Sequence, residues 1–198
     1  MGMGNYVLLG LIMVVGWYLV HIYNRLVLLK NRHENAFAQI EVQLRRRYDL
    51  IPNLVETAKA YLKHEKETLE AVIQARNQAM SGLQAAQANP MDPQALQNLG
   101  AAETGLVGAL GKLSMVMEDY PDLKADATMM QLSNELTHTE NKVAFSRQAF
   151  NDAVLLYNSY KQAFPQQMIA SSYGFVQDAS FLEIQDKEAI QDAPKVSF

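Results

Sequence analysis

The chain has 198 residues, 17 Lys and Arg against 21 Asp and Glu, and no cysteine. A net charge of -4 argues against nucleic acid as a partner. The lack of thiols excludes disulfides, thiolate metal sites, a cysteine nucleophile and a lipidated cysteine.

The first element is the stretch YVLLGLIMVVGWYLVHIY, residues 6–23, which contains no Asp, Glu, Lys or Arg; the first charged side chain is Arg25. An uncharged run of this length matches a helix crossing a hydrocarbon layer of about 30 Å at roughly 1.5 Å per residue. No basic residue precedes it and no small-residue cleavage signal follows it, so a retained anchor is expected and not a secretory signal. Tyr6 stands where a myristoylation motif needs Ser or Thr. Trp17, Tyr18 and Tyr23 suit the interface, and Arg25 can extend its stem outward. Arg25, Lys30, Arg32 and Arg45–Arg47 all follow the span, which predicts an outside N-terminus and a cytoplasmic remainder.

Beyond residue 24 the dominant period is helical. Leu26, His33, Phe37, Ile40 and Leu44 continue a stripe from the anchor. Val55, Ala58, Leu62, Glu65, Leu69, Val72, Arg76, Ala79 and Leu83 form a second seam. Leu96, Leu99, Glu103, Leu106, Leu110, Leu113, Met117 and Tyr120 form a third, and Met129 through Phe164 steps by three and four for about five heptads. Asn89-Pro90-Met91-Asp92-Pro93 and Tyr120-Pro121-Asp122 read as stop, turn and restart. At Tyr48–Pro52, Asp49 as a cap favours a reversal over a kink. The predicted helices are therefore about 5–48, 50–87, 93–118 and 122–163. Short connections make neighbours antiparallel. The expected fold is all-α: an N-terminal transmembrane helix (residues 1–24 the anchor) continuing into an antiparallel up-and-down four-helix bundle over 25–164. An extended C-terminal tail follows over 165–198. The tail reads either as a strap laid on the bundle, its aromatics in grooves, or as an arm ending in Val196-Ser197-Phe198 that a partner captures.

Chemistry-bearing patterns are sparse. His64-Glu65-Lys66-Glu67-Thr68 opens like a zincin helix, but Thr68 occupies the second ligand position. Glu135 and His138 make one Glu-x-x-His pair where a di-iron bundle needs two. No catalytic residue, metal site or cofactor is therefore expected. Gly100, Gly105, Gly108 and Gly111 form a strip of small residues that permits close helix approach, within the bundle or against another copy. Polar residues at seam positions (Glu65, Arg76, Glu103, Thr139, Ser146), with Asn141, Arg147, Asn151 and Asn158 beside the last seam, need partners if buried. They serve either helix register or a polar site inside the bundle.

Several ordered blocks then carry a resemblance: IYNRLVLLKNRHENAFAQIEVQLRRRYDLIPNLVETAKAYLKHEKETLEAVIQAR, MEDYPDLKAD, the TEN of residues 139–141, FSRQAFNDAVLLYN, FPQQMIASSYGF and the closing APKVSF. Together they resemble the LemA family over nearly the whole chain. The resemblance implies a bacterial single-pass membrane protein with a four-helix bundle, for which no enzymatic activity is established. Its members are often encoded beside membrane zinc metalloproteases of the HtpX type, which implies envelope stress or quality-control work by association. The family's recurring polar residues fall here on Asn24, Asn35, Gln39, Arg47, Asp49, Asn53, Glu56, Glu65, Glu140, Asn141, Arg147, Asn151 and Asn158. Phe37 stands where the family often has Trp, and Phe150 where Tyr is common; both keep an aromatic anchor. The expected function is a non-enzymatic, membrane-anchored scaffold or adaptor in the bacterial inner membrane, self-associating or bound to a protease of the HtpX type. The alternatives are a small-ligand or ion sensor built on the polar interior, and a membrane-remodelling protein.

Overall fold

The computed structural model describes residues 3–184, which are mostly helical with no strand among them. Six helices follow in order: α1 (Met3–Lys59), α2 (Lys66–Ala88), α3 (Pro93–Met117), α4 (Pro121–Lys124), α5 (Ala127–Gln162) and α6 (Gln166–Ser172). The end of the tail, Val196–Phe198, and with it the arm reading of those residues, lies outside the described residues.

The 57 residues of α1 give a rod of about 85 Å. Its first part is bare, with Leu9, Ile12, Val14 and Trp17 all exposed, and burial begins at Ile22. An 18-residue window there reaches a mean hydropathy of 1.9, so α1 is long and apolar enough to cross a membrane. The same rod then enters the core through Leu26, Leu29, Phe37, Ile40 and Leu44.

The reversal expected at Tyr48–Pro52 does not occur. The helix runs on to Lys59, Asp49 is an exposed mid-helix residue and not a cap, and the chain turns at residues 60–65 instead. Proline inside a helix leaves the carbonyl four residues back without its amide. That carbonyl belongs to Tyr48, and it accepts a hydrogen bond from Arg76 Nε at 3.1 Å. A guanidinium from α2 thus replaces the missing donor and keeps α1 continuous.

Other boundaries follow local chemistry. Asp92 caps α3 by accepting from the Gln94 amide, with Pro93 in the first turn. The expected helix 122–163 divides into α4 and α5, because Asp126 starts a new cap by accepting from the Met129 amide. The tail is not extended from its start. Residues 166–172 form α6, which ends in a Schellman turn: Gly174 takes φ +85 and the Phe175 amide bonds the Ala170 carbonyl at 2.9 Å.

α1 packs against α5, α2 and α6, and α2 packs against α3. Along the α1–α5 contact Tyr61 meets Asp126, His33 and Phe37 meet Phe150, and Tyr23 meets Tyr173 just past α6. The core includes Tyr48, Ile51, Leu54 and Val55 of α1 with Leu83, Leu96, Leu99, Phe150, Val154 and Tyr157. Gly82 allows α2 to approach α3 closely, since a Cβ there would sit 3.3 Å from Leu99 Cα. Within this chain the expected glycine strip does not serve close approach between helices, and its reading as a contact with another copy is untouched by this. Gly105, Gly108 and Gly111 face open space among the described residues, and Gly100 meets the tail instead of a helix.

Candidate functional site

The thirteen polar residues singled out by sequence separate into distinct places. On α1, Asn24, Asn35, Gln39, Asp49, Asn53 and Glu56 are all exposed. At about 100° per residue they fall within an arc of roughly 100° on the rod, facing away from the core stripe. Leu28 and Val42, both more than half exposed, lie on the same arc. Glu140 and Asn141 are exposed on α5. Glu65 is half-buried at the N-cap of α2, without a capping side-chain bond.

Arg47 is different. It is 3% exposed and ion-pairs with Glu103 of α3, which is fully buried; the Tyr48 hydroxyl donates to the same carboxylate. Burial holds the Tyr48 phenol well above its usual value despite the Arg47 and Arg76 charges nearby. Opposite charges therefore meet in the core between α1 and α3, and Arg76 adds the link from α2 to the Tyr48 carbonyl. Every member is engaged by another part of the chain, which is what helix registry requires.

Arg147, Asn151 and Asn158 face the tail. The Asn158 amide donates to the Ala179 carbonyl (2.8 Å) while its oxygen accepts from the Ala179 amide (2.9 Å). Asn151 does the same for Leu182 at 3.3 and 3.0 Å. Arg147 donates to the Ile184 carbonyl at 2.8 Å. The seven-residue step from Asn151 to Asn158 spans about 10.5 Å of helix, and the three-residue step from Ala179 to Leu182 spans about 10 Å of extended chain. The two rises match, so residues 175–184 lie along α5 as a strap. On the α3 side a Cβ on Gly100 would fall 2.1 Å from the Glu183 carbonyl oxygen, so only glycine lets the strap pass. Ala179 and Leu182 complete the core. Within the described residues the strap reading of the tail holds.

His33, at a core position that the sequence marked only as a stripe residue, is buried against Phe150 with ring centroids 4.9 Å apart. Neither ring nitrogen has a hydrogen-bond partner among the described residues, and burial lowers its pKa to about 4. It stands neutral in the core. Sequence reasoning missed one further feature, an open groove of about 1140 Å³ beside the α1–α2 turn. Val55, Leu62 and Leu69 form its floor, and Lys59, Lys63, Lys66 and Glu70 its rim, where Lys66 pairs with Glu70 at 3.4 Å and Lys59 with Glu56. A cluster of lysines at one turn was the available signal.

A model of the LemA family matches residues 36–198. Protein LemA of Metamycoplasma hominis is 24% identical over 151 residues, covering 75% of this chain and 64% of that protein. Magnetosome protein MamQ 2 of Paramagnetospirillum magneticum is 25% identical over 179 residues, covering 81% and 65%. Magnetosome protein MamQ of Magnetospirillum gryphiswaldense is 24% identical over 171 residues, covering 77% and 62%. The chain thus spans a little under two thirds of the length of these relatives. The family model covers well over half of the sequence, and the helical fold agrees: this chain belongs to the LemA family.

Proposed function

We propose that this protein is a non-enzymatic scaffold or adaptor, tethered to the bacterial inner membrane by residues 1–24, with its N-terminus outside. The cytoplasmic portion is an up-and-down four-helix bundle of α1, α2, α3 and α5 over residues 25–164, with residues 175–184 of the tail laid along α5. The pairings of Tyr61 with Asp126, His33 with Phe150 and Tyr23 with Tyr173 run in opposite chain directions, which supports an antiparallel order.

The observation that carries this reading is the division of polar residues. Arg47, Glu103, Arg147, Asn151 and Asn158 are bonded to distant parts of the chain. Six of those outside form one stripe on α1, from Asn24 near the anchor to Glu56 near the far turn, interrupted by exposed Leu28 and Val42, while Glu140 and Asn141 are exposed on α5. A long polar face with isolated apolar anchors is suited to a protein partner. That partner is a second copy or a membrane-bound client such as a zinc metalloprotease of the HtpX type. A photo-crosslinker placed at Gln39 or Asn53 in native membranes is expected to give discrete adducts, identified by mass spectrometry. Free monomer alone, at both positions, sinks the adaptor reading.

The groove at the α1–α2 turn favours a second reading, a sensor of an amphiphilic anion, with an apolar floor and a rim on which Lys63 stands beside the Lys59–Glu56 and Lys66–Glu70 pairs. A ligand that binds only the folded form raises Tm with its concentration. Fatty-acid anions that leave Tm unchanged would remove this reading.

A further inference from the structure

We propose that α6 and its flanking turns form an interfacial foot that rests in the surface layer of the bilayer beside the exit of the membrane helix. This rests on the anchor reading of α1.

Three observations converge on it. The first is position. Ile22 and Leu26, on either side of the first charged residue, form a small core of their own with Ile169 and Ala170 of α6. The Tyr23 ring meets Tyr173 edge-on at 5.5 Å and Phe175 at 5.8 Å. α6 is therefore packed at the level where the uncharged segment of α1 ends.

The second is surface chemistry. Phe164 is 82% exposed, Met168 63%, Tyr173 66% and Val176 72%, all within one short stretch. Residues 162–177 carry no Asp, Glu, Lys or Arg. Residues 77–91 are also uncharged, yet no large hydrophobic side chain is exposed among them. Lack of charge alone is not the signal; lack of charge with bare aromatics and Met at the height of the anchor's end is. Aromatic side chains favour that depth, with Trp17 and Tyr18 of α1 on the bilayer side.

The third is electrostatic closure. The two charges that bound the stretch, Lys161 and Asp178, pair with each other at 2.5 Å, and Lys161 also donates to the Val176 carbonyl at 3.0 Å. The foot is clamped at its base by its own flanking charges. It presents apolar and uncharged polar groups to the lipid, with no charge to desolvate.

The test uses the full chain in phosphatidylcholine vesicles. The absence of native cysteine permits single-cysteine variants carrying an environment-sensitive fluorophore. Labels at Met168→Cys and Tyr173→Cys report on the foot, Leu9→Cys on the anchor, and Phe145→Cys on an exposed site of α5 well away from it. Quenchers carried on the lipids are expected to quench Leu9, Met168 and Tyr173 to the same order and to leave Phe145 unaffected. If Leu9 is quenched while Met168 and Tyr173 behave like Phe145, the foot is overturned and the anchor stands. If Leu9 is not quenched, the anchor reading fails and the foot fails with it. If Met168 is shielded from water but not reached by the lipid quencher, a protein surface covers it and the proposal is overturned.

Discussion

The Arg47–Glu103 pair sits where neither group can be rehydrated, and the Tyr48 hydroxyl completes the carboxylate's shell. Removing one partner strands the other charge: Arg47→Met should lower unfolding stability by about 3–5 kcal/mol. Arg47→Met combined with Glu103→Leu should recover much of that loss, read as Tm in detergent. Equal losses in single and double variants would contradict a paired charge. His33 adds a pH dependence whose direction is fixed by burial. Its folded pKa is lowered from 6.5 to about 4, so the unfolded chain binds more protons between those values. Stability is complete above pH 6.5 and declines as pH falls toward 4, by roughly 3 kcal/mol from this group. His33→Leu should flatten that part of the profile relative to the unmodified chain, measured by urea unfolding at pH 7 and pH 5. The glycines separate by what they face. Gly100→Ala drives a methyl into the Glu183 carbonyl and should destabilise the protein. Gly108→Ala, in open space on a helix, should stabilise it by about 0.5–1 kcal/mol. A shared direction in thermal melts would refute this assignment.

Elements show how far local signals reach. The caps at Asp92 and Pro93 were legible because an aspartate beside a proline has one common use. The reversal at residues 60–65 was not, because it contains neither glycine nor proline. The spacing of Val55, Ala58, Leu62, Leu69 and Val72 continues through it unbroken, since both sides of the turn face one core. Pro52 pointed to a break that Arg76 prevents, and a donor arriving from another helix leaves no trace in local sequence. The asparagines on α5 were visible as polar neighbours of a seam. Their partners were not, because these are backbone groups of the strap. The same geometry predicts a local effect: Asn151→Ala or Asn158→Ala removes one donor and one acceptor from the strap. The amides of Leu182 or Ala179, respectively, should then lose hydrogen-exchange protection, with about 1–3 kcal/mol lost locally and α2–α3 protection unchanged. Unaltered exchange at both amides would mean the strap is held without these bonds.

At the scale of the molecule, one rod joins two environments. Residues 3–21 of α1 have almost no protein cover, whereas from Ile22 its apolar stripe is enclosed by α2, α5 and α6. Burial of the second part fixes the rod's direction and so sets which polar face stays exposed. The single measurement that bears most directly on this account is labelling by a membrane-impermeant maleimide of Gly4→Cys and Gln39→Cys in spheroplasts, before and after permeabilisation. An anchored chain with an outside N-terminus predicts that Gly4→Cys labels in intact spheroplasts and Gln39→Cys only after permeabilisation. Labelling of Gln39→Cys in intact spheroplasts would contradict it.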